Sequence, residues 1–329
     1  MTSMTHLRRV AAVVAAAAFA VAIPLAAAQD RPHQRAPRRE PPPHAVAPAD
    51  SPDLRLQVGL DRTGFSPGEI DGHRGLNTTR ALQAFAQAHK LTVTDEGAIV
   101  RALFADNAPV LTTYTITSAD AAGPFTPDIP ADLEQQAALP ALNYGSIDEA
   151  LGERFHTSPA LLKQLNPGVT LQEGAEIQVP NVRVADEAAP AARADKVTVS
   201  RSRSAATATD ASGKVIFYAP VTSGSTHDPL PIGTWKVTGI SRNPSFNYNP
   251  DLFWDANPSH TKAKIAPGPN NPVGVVWIDI SKEHYGLHGT PNPSTISRTT
   301  SHGCVRLTNW DASRLAGLVK AGTPVIFEQ

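Results

Sequence analysis

The sequence predicts a multidomain protein whose C-terminal block is mostly β, preceded by a three-helix domain and a small α+β module. Three observations support this fold class. Apolar residues recur at helical spacing in three segments between residues 51 and 106. A strand, two short helices and a second strand follow between residues 107 and 183. From 196 to 329, short runs rich in valine, isoleucine and threonine alternate with turn residues, which is typical of strands.

The first 28 residues have the pattern of a secretory signal peptide. Arg8 and Arg9 precede an apolar run from Val10 to Pro24, and three alanines allow cleavage before Gln29. An uncleaved membrane anchor is the alternative, although the run is short for a spanning helix. We therefore expect export to the periplasm or cell wall, with no transmembrane anchor after cleavage.

The composition limits the function classes and the sources of stability. The chain of 329 residues has one cysteine, so no internal disulfide can form. Its net charge is −1, and loss of Arg8 and Arg9 with the signal peptide lowers this to −3. A basic patch for nucleic acid is therefore not indicated. Residues 29–50 contain six prolines and few apolar side chains, which predicts a linker.

Residues 51–106 are predicted to form three helices. Ser51 and Pro52 are suited to start the first helix, and Gly64 to end it. Asn77 is placed to cap the second helix and Asp95 the third.

Residues 107–183 are predicted to form a strand–helix–helix–strand module. The strands cover 114–117 and 176–180, and the helices cover 147–155 and 159–165. A long loop from 118 to 143 separates the first strand from the first helix. Residues 184–195 are mostly Ala, Asp, Glu and Pro, which indicates a linker.

Residues 196–329 are predicted to be mostly β with one helix. Strands are expected at 197–199 and 214–218, on either side of a turn at 210–213, and at 234–237 and 275–280. Asn309 is placed to cap the helix and Gly322 to end it, and a closing strand is expected at 324–327.

Cys304, the lone cysteine, is the candidate nucleophile of this block. It stands in Ser301-His302-Gly303-Cys304-Val305-Arg306, and His288 lies 16 residues upstream. A thiol needs a partner that accepts its proton, and His288 is the candidate base. Amide hydrogens around Gly303 can face a developing oxyanion, and Arg306 can hold a substrate carboxylate.

Two other chemistries compete with this acyltransferase interpretation. In papain-like hydrolases the base follows the cysteine, whereas no histidine follows Cys304. His284, His288, His302 and Cys304 form a set of four ligands that suits zinc. The spacing of the first two histidines suits a helix, however, and their segment looks extended. We therefore predict no metal and no cofactor.

The stretch His288-Gly289-Thr290 together with Ser301 to Arg306 is similar to the signature of the L,D-transpeptidases, the YkuD family. Gly233-Thr234-Trp235 and the segment from Pro267 to Gly274 resemble further parts of that family. Upstream, the turn from Gly64 to Gly72 with Thr79, Ala81, Leu82 and Phe85 resembles a peptidoglycan-binding-like helical domain. Residues 107–183 resemble a LysM module with an insertion.

The resemblance implies a peptidoglycan L,D-transpeptidase with a YkuD β-sandwich-like catalytic domain. Cys304 would attack the third residue of the stem tetrapeptide, release D-alanine and pass the acyl group to an amine, giving a 3→3 cross-link. Water as acceptor would give an L,D-carboxypeptidase, and a lipoprotein lysine would give an anchoring enzyme. A wall-binding scaffold with a silent catalytic domain is the non-enzymatic alternative.

The resemblance also assigns site residues. His288 would be the base, oriented by the carbonyl of Gly289, and His302 would take part in the site. The residues assigned to substrate binding are Ser301, Gly303 and Arg306, and at the last position some family members have asparagine. The expected partners are peptidoglycan stem peptides and glycan strands.

Overall fold

The computed structural model describes residues 51–183 and 193–329. The signal peptide and linker predicted for residues 1–50 lie outside these residues, and so does most of the linker predicted for 184–195. Within the two described ranges, no helix has both the length and the apolar character needed to cross a membrane. The described residues all belong to one compact unit.

Three helices form the N-terminal part, as predicted: α1 (Pro52–Thr63), α2 (Leu76–Ala88) and α3 (Glu96–Leu103). They enclose an apolar core to which Leu60 and Phe85 contribute fully buried side chains. Helix α1 ends at Gly64, whose φ of 91° is left-handed and favours glycine. The Asp95 carboxylate accepts a hydrogen bond from Ala98 N and so caps α3 as predicted.

The predictions for the starts of α1 and α2 need correction. Gly75, and not Asn77, precedes the first residue of α2. The Asn77 amide donates a hydrogen bond to the Ile296 carbonyl at 3.2 Å and so contacts the C-terminal block. Ser51 precedes α1 as expected, but its hydroxyl makes no capping hydrogen bond.

The middle segment has the predicted strand–helix–helix–strand plan. Strands β1 (Leu111–Thr115) and β2 (Glu176–Pro180) pair antiparallel. Helices α6 (Ile147–Arg154) and α7 (Pro159–Leu165) lie between them in sequence, and the side chains of Ser146 and Ser158 cap them. The stretch predicted as a loop contains two short helices, α4 (Ser118–Ala122) and α5 (Leu133–Ala137). The side chain of Thr117 caps α4, and that of Asp132 caps α5.

The C-terminal block is built on a sheet of nine strands among the described residues, in the order β5-β4-β3-β13-β7-β10-β11-β12-β6. Neighbours pair antiparallel except β3 with β13 and β11 with β12, which are parallel. The strands are β3 (Lys196–Ser200), β4 (Ala205–Thr209), β5 (Val215–Pro220), β6 (Thr222–Ser223), β7 (Gly233–Arg242), β10 (Val276–Ile280), β11 (Gly286–His288), β12 (Val305–Arg306) and β13 (Pro324–Glu328). A separate pair consists of β8 (Phe246–Tyr248) and β9 (Ala263–Ile265).

The long strand β7 joins the two halves of this sheet. Its first residues, from Gly233 to Lys236, pair with β13, and the stretch from Val237 to Arg242 pairs with β10. Helix α8 (Asn309–Leu318) packs against the sheet with Leu315 fully buried. The result is a mostly β domain with a sandwich-like or barrel-like sheet, as predicted.

Three expectations for this block need correction. The turn at 210–213 joins β5 to β4, which was not predicted as a strand. The N-cap of α8 is Thr308, whose hydroxyl accepts a hydrogen bond from Asp311 N, and not Asn309. The helix stops at Leu318, so Gly322 belongs to the turn beyond its end.

Buried polar contacts join the three parts of the described chain. His156 Nδ1, at the end of α6, lies 3.0 Å from Asp61 Oδ2 in α1. The Ser66 hydroxyl donates to the Asp311 carboxylate of α8 at 2.9 Å. The His156 ring also stacks on Trp310, with centroids 5.0 Å apart. Residues that follow α1 and α6 therefore contact the start of α8.

Candidate active site

Parallel pairing of β11 with β12 brings the two candidate catalytic residues together. Leu287 pairs with Val305 and His288 with Arg306, so Cys304 lies beside the start of β11. Leu287 and Val305 are buried in the core. Because side chains alternate along a strand, His288, Cys304 and Arg306 share the opposite face.

A backbone carbonyl fixes the ring of His288. The Nδ1 atom lies 2.7 Å from the carbonyl oxygen of Gly289, so Nδ1–H donates to it. The ring of Trp277 stacks on the imidazole, with centroids 5.4 Å apart. With Nδ1 protonated, the neutral ring has its acceptor lone pair on Nε2. This is the tautomer that a proton acceptor for a thiol needs.

Burial keeps His288 neutral. Only 4% of the residue is exposed. Burial and, secondarily, the nearby charge of Arg306 lower the pKa of His288 to about 3, against the opposing effect of the Gly289 hydrogen bond. At neutral pH the ring is therefore unprotonated, and Nε2 keeps its lone pair.

The Cys304 thiol is held close to the backbone of the segment between β10 and β11. Its Sγ–H donates to the His284 carbonyl at 3.6 Å. Burial raises the pKa of the thiol above its ordinary value, while a hydrogen bond from the Gly286 amide and the charge of Arg306 act in the opposite direction. The resting site therefore contains a thiol and a neutral imidazole, not an ion pair.

Ser301 supports the turn that carries Cys304. Its hydroxyl donates to the Cys304 carbonyl at 2.6 Å and accepts from the Gly224 amide at 2.7 Å. The residue is 3% exposed, so both hydrogen bonds of the hydroxyl are made inside the protein. Gly303 has a φ of 100°, and a Cβ there would lie 2.5 Å from the ring of Tyr285. Both the backbone conformation and the available space at this position favour glycine.

His302 contacts a neighbouring loop. Its Nε2 lies 2.7 Å from Asp255 Oδ1, and its ring packs edge-on against Phe253 at 4.9 Å. Both partners come from the loop segment 251–260. On the same loop Trp254 is 58% exposed and stacks on His227 at 4.2 Å. The loop therefore lies beside the turn of Cys304 and presents an exposed aromatic ring.

Arg306 is oriented by the same turn. Its guanidinium donates to the Thr300 carbonyl at 3.4 Å, and its charge acts on both His288 and Cys304. Among the described residues, no group of three or more His, Cys, Asp or Glu side chains is placed to hold a metal ion. The side chain of His284 is largely exposed, near Glu283 at 3.5 Å.

Four residues that touch this site were not predicted from the sequence. Trp277 is one of them, and its ring stacks on that of His288. Tyr285 packs against Gly303, Asp255 binds His302, and Asn309 was misread as a helix cap. Asn309, five residues after Cys304, and Tyr285, three residues before His288, stand close in sequence to predicted site residues, whereas Trp277 and Asp255 do not.

Comparison with known proteins identifies the domain that carries this site. The family model of the L,D-transpeptidase catalytic domain, YkuD, matches residues 194–327. This confirms the predicted YkuD catalytic domain in the C-terminal block. The helical domain and the LysM-like module are not matched by this model and stay predictions.

Curated relatives and solved structures carry the same family name. A protein of Bacillus licheniformis, "Putative L,D-transpeptidase YkuD", is 49% identical over 59 residues, which cover 18% of this chain and 36% of that protein. "Putative L,D-transpeptidase YqjB" of Bacillus subtilis is 30% identical over 112 residues, 32% of this chain and 56% of that protein. The alignments therefore span about a third to a half of these relatives. The solved L,D-transpeptidase 3 from Mycobacterium tuberculosis, in complex with a faropenem-derived adduct, has a TM-score of 0.35 and 17% identity, over 49% of this chain and 76% of that one.

Proposed function

Since residues 194–327 match the L,D-transpeptidase catalytic domain, we propose that this protein is a peptidoglycan L,D-transpeptidase with Cys304 as its nucleophile. The observation that carries the proposal is the pairing of β11 with β12. With this pairing, Cys304 and the buried neutral His288 lie on the same face of two adjacent strands, and the Nδ1–H of His288 donates to Gly289 O at 2.7 Å. Such a thiol–imidazole arrangement is suited to acyl transfer.

In the first half of the reaction, His288 Nε2 accepts the thiol proton as Sγ of Cys304 attacks the carbonyl carbon of the third stem residue. The C–S bond forms, and the carbonyl oxygen becomes an oxyanion that backbone amides near Gly303 stabilise. The bond to the terminal D-alanine then breaks, and the imidazolium returns its proton to the leaving amine. A thioester of Cys304 and free D-alanine are the products of this half.

In the second half, the amine of another stem peptide attacks the thioester. His288 accepts the proton of that amine, the C–S bond breaks, and the thiol is regenerated on reprotonation. The product is a 3→3 cross-link between two stems. Water in place of the amine would give a shortened stem, and a lipoprotein lysine would give an anchored lipoprotein.

The remaining site residues have supporting roles in this proposal. Ser301 and Gly303 hold the turn of Cys304, and Arg306 binds a carboxylate of the stem. His302 holds the loop that carries Asp255 beside the turn of Cys304. The three-helix domain and the LysM-like module are proposed to bind glycan strands, and the predicted signal peptide places the reaction in the periplasm or cell wall.

The decisive experiment uses purified protein lacking residues 1–28, incubated with disaccharide-tetrapeptide fragments. Mass spectrometry should detect a cross-linked dimer that has lost one D-alanine, and an acyl-enzyme on Cys304 should accumulate transiently. Cys304→Ala should abolish both products and leave the fold intact, and Thr299→Ala, an exposed change on the same loop, should have no effect. Tripeptide without dimer would favour the carboxypeptidase, and D-alanine release by Cys304→Ala would refute the proposal.

A further inference from the structure

Asn309 is a buried side chain placed directly behind the residue that orients the candidate base. Only 1% of the residue is exposed. Its Oδ1 accepts from the Val275 amide at 3.1 Å, and its Nδ2 donates to the Pro269 carbonyl at 3.1 Å. These contacts fix the amide plane relative to the strand β10.

The Asn309 amide also packs against two glycines. A Cβ at Gly289 would lie 2.1 Å from Asn309 Oδ1, and one at Gly274 would lie 1.9 Å from it. The backbone of Gly289 therefore lies in direct contact with the amide. Because the carbonyl of Gly289 orients the His288 ring at 2.7 Å, a shift of Asn309 is transmitted to the imidazole through one residue.

The third contact of Asn309 comes from outside the YkuD domain. Its Nδ2 donates to Glu153 Oε1 at 2.7 Å, the shortest of its hydrogen bonds. Glu153 belongs to helix α6 of the middle segment, and its carboxylate is also 3.5 Å from the Tyr144 hydroxyl. Burial raises the pKa of Glu153 to about 8, so the carboxyl is mostly protonated at neutral pH and glutamine is its natural replacement.

We propose that Glu153 is a positioning residue for the reaction, acting through Asn309 and Gly289 on the orientation of His288. The inference rests on the proposed function for its kinetic consequence. It implies that His288 is correctly oriented only when the middle segment, residues 107–183, is packed against the catalytic domain. The middle segment then has a role besides any binding of glycan.

The test compares three substitutions at Glu153 with one control. Glu153→Ala removes the oxygen that accepts from Asn309 Nδ2. Glu153→Asp shortens the side chain by one methylene and so moves this oxygen away, and Glu153→Gln keeps a carbonyl oxygen in place. The control, Leu162→Ala, empties part of the core of the same segment without touching Asn309. It reports what loss of stability in the segment does by itself.

The first readout is steady-state cross-linking at a temperature where every variant is folded. Glu153→Ala should lower kcat about tenfold to a hundredfold with KM little changed, because a misplaced catalytic group costs turnover more than binding. Glu153→Asp should give a smaller loss, and Glu153→Gln should restore the rate to within about threefold of the original. Leu162→Ala should leave kcat unchanged.

The second readout does not depend on activity. The ¹⁵N resonances of the His288 ring, assigned by their loss in His288→Gln, report which nitrogen carries the proton. In Glu153→Ala the signal of protonated Nδ1 should broaden or shift, while Glu153→Gln and Leu162→Ala should resemble the unchanged protein.

The two readouts separate the two proposals. If the unchanged protein has no turnover but the His288 signals respond as expected, the proposed function fails and the positioning role stands. An unchanged His288 spectrum in Glu153→Ala and Glu153→Asp overturns the positioning role, whatever the activity. Equal losses of kcat in Glu153→Ala and Leu162→Ala would overturn it as well, since the effect would then be one of stability.

Discussion

Removal of the Ser301 hydroxyl should loosen the turn that carries Cys304. The hydroxyl has two short hydrogen bonds, to the Cys304 carbonyl at 2.6 Å and from the Gly224 amide at 2.7 Å. In Ser301→Ala both backbone groups lose this partner inside the protein, since Ser301 is 3% exposed. An unsatisfied buried polar group costs roughly 1–3 kcal/mol, so with two such groups the free energy of unfolding should fall by about 2–6 kcal/mol.

Two assays measure this effect. Urea denaturation followed by tryptophan fluorescence gives the change in unfolding free energy. Alkylation of the thiol gives the local consequence, and it is unambiguous because the chain has one cysteine. A loosened turn should expose Sγ and speed alkylation by iodoacetamide.

Thr299→Ala is the matched control on the same loop. Its hydroxyl makes one exposed hydrogen bond of 3.3 Å to the Thr295 carbonyl, so its loss should cost less than about 0.5 kcal/mol. If Ser301→Ala were as stable as this control and alkylated at the original rate, the hydroxyl would not be what holds the turn.

Three further predictions concern the site and its supports. Gly303→Ala should lower the free energy of unfolding by about 2–5 kcal/mol and abolish turnover, because it combines a positive φ with a Cβ 2.5 Å from an aromatic ring. The control Gly213→Ala, at a φ of 82° in open space, should lower it by only about 1–2 kcal/mol. Equal losses for the two variants in urea denaturation would contradict this prediction. Burial raises the pKa of Glu153 to about 8 and that of Asp311 to about 7, so their contribution to stability is present at low pH and is lost as pH rises through those values. The unfolding free energy should therefore fall by on the order of 3 kcal/mol between pH 6 and 8.5, and Glu153→Gln should flatten this slope. Because the pKa of Cys304 is raised, its alkylation rate should still be climbing above pH 9, whereas a fast plateau between pH 5 and 7 would reveal an ion pair.

The elements that the sequence predicts well are those with strong local signals. Helix α7 begins after Ser158 with a proline in its first turn, and its predicted bounds match the structure. The same holds for β2, which alternates buried and exposed residues. By contrast, β4 has the sequence Ala-Ala-Thr-Ala-Thr, whose small side chains give no alternation of apolar and polar residues. Its assignment depends on pairing with β3 and β5, which no local pattern encodes.

Both asparagines that were read as helix caps have long-range contacts. Asn77 and Asn309 each lie at the start of an apolar helical pattern, where asparagine is a favoured cap. In the structure their amides bind groups 219 and 156 residues away, Ile296 and Glu153. An exposed cap and a buried amide therefore have the same local sequence, and only the fold distinguishes them.

The sequence singles out candidate reacting groups for this site, but it does not predict the residues around them. Cys304 and His288 were found because one is the lone cysteine and the other stands at a characteristic distance. The partners that orient or cover them, Trp277 and Asp255, are separated from the turn in sequence and meet it through the order of the strands and the path of a loop.

The protonation states of the site connect its burial with its chemistry. The same low-dielectric surroundings that lower the pKa of His288 to about 3 raise that of Cys304, so the charged pair is disfavoured from both sides. Thiol oxidation follows thiolate character, and a resting thiol is protected accordingly. In the proposed mechanism, charge develops only once a substrate carbonyl is present to receive the sulfur, and amide donors near Gly303 stabilise the oxyanion. Because the pKa of His288 is low, its imidazolium would return the proton readily to a leaving amine.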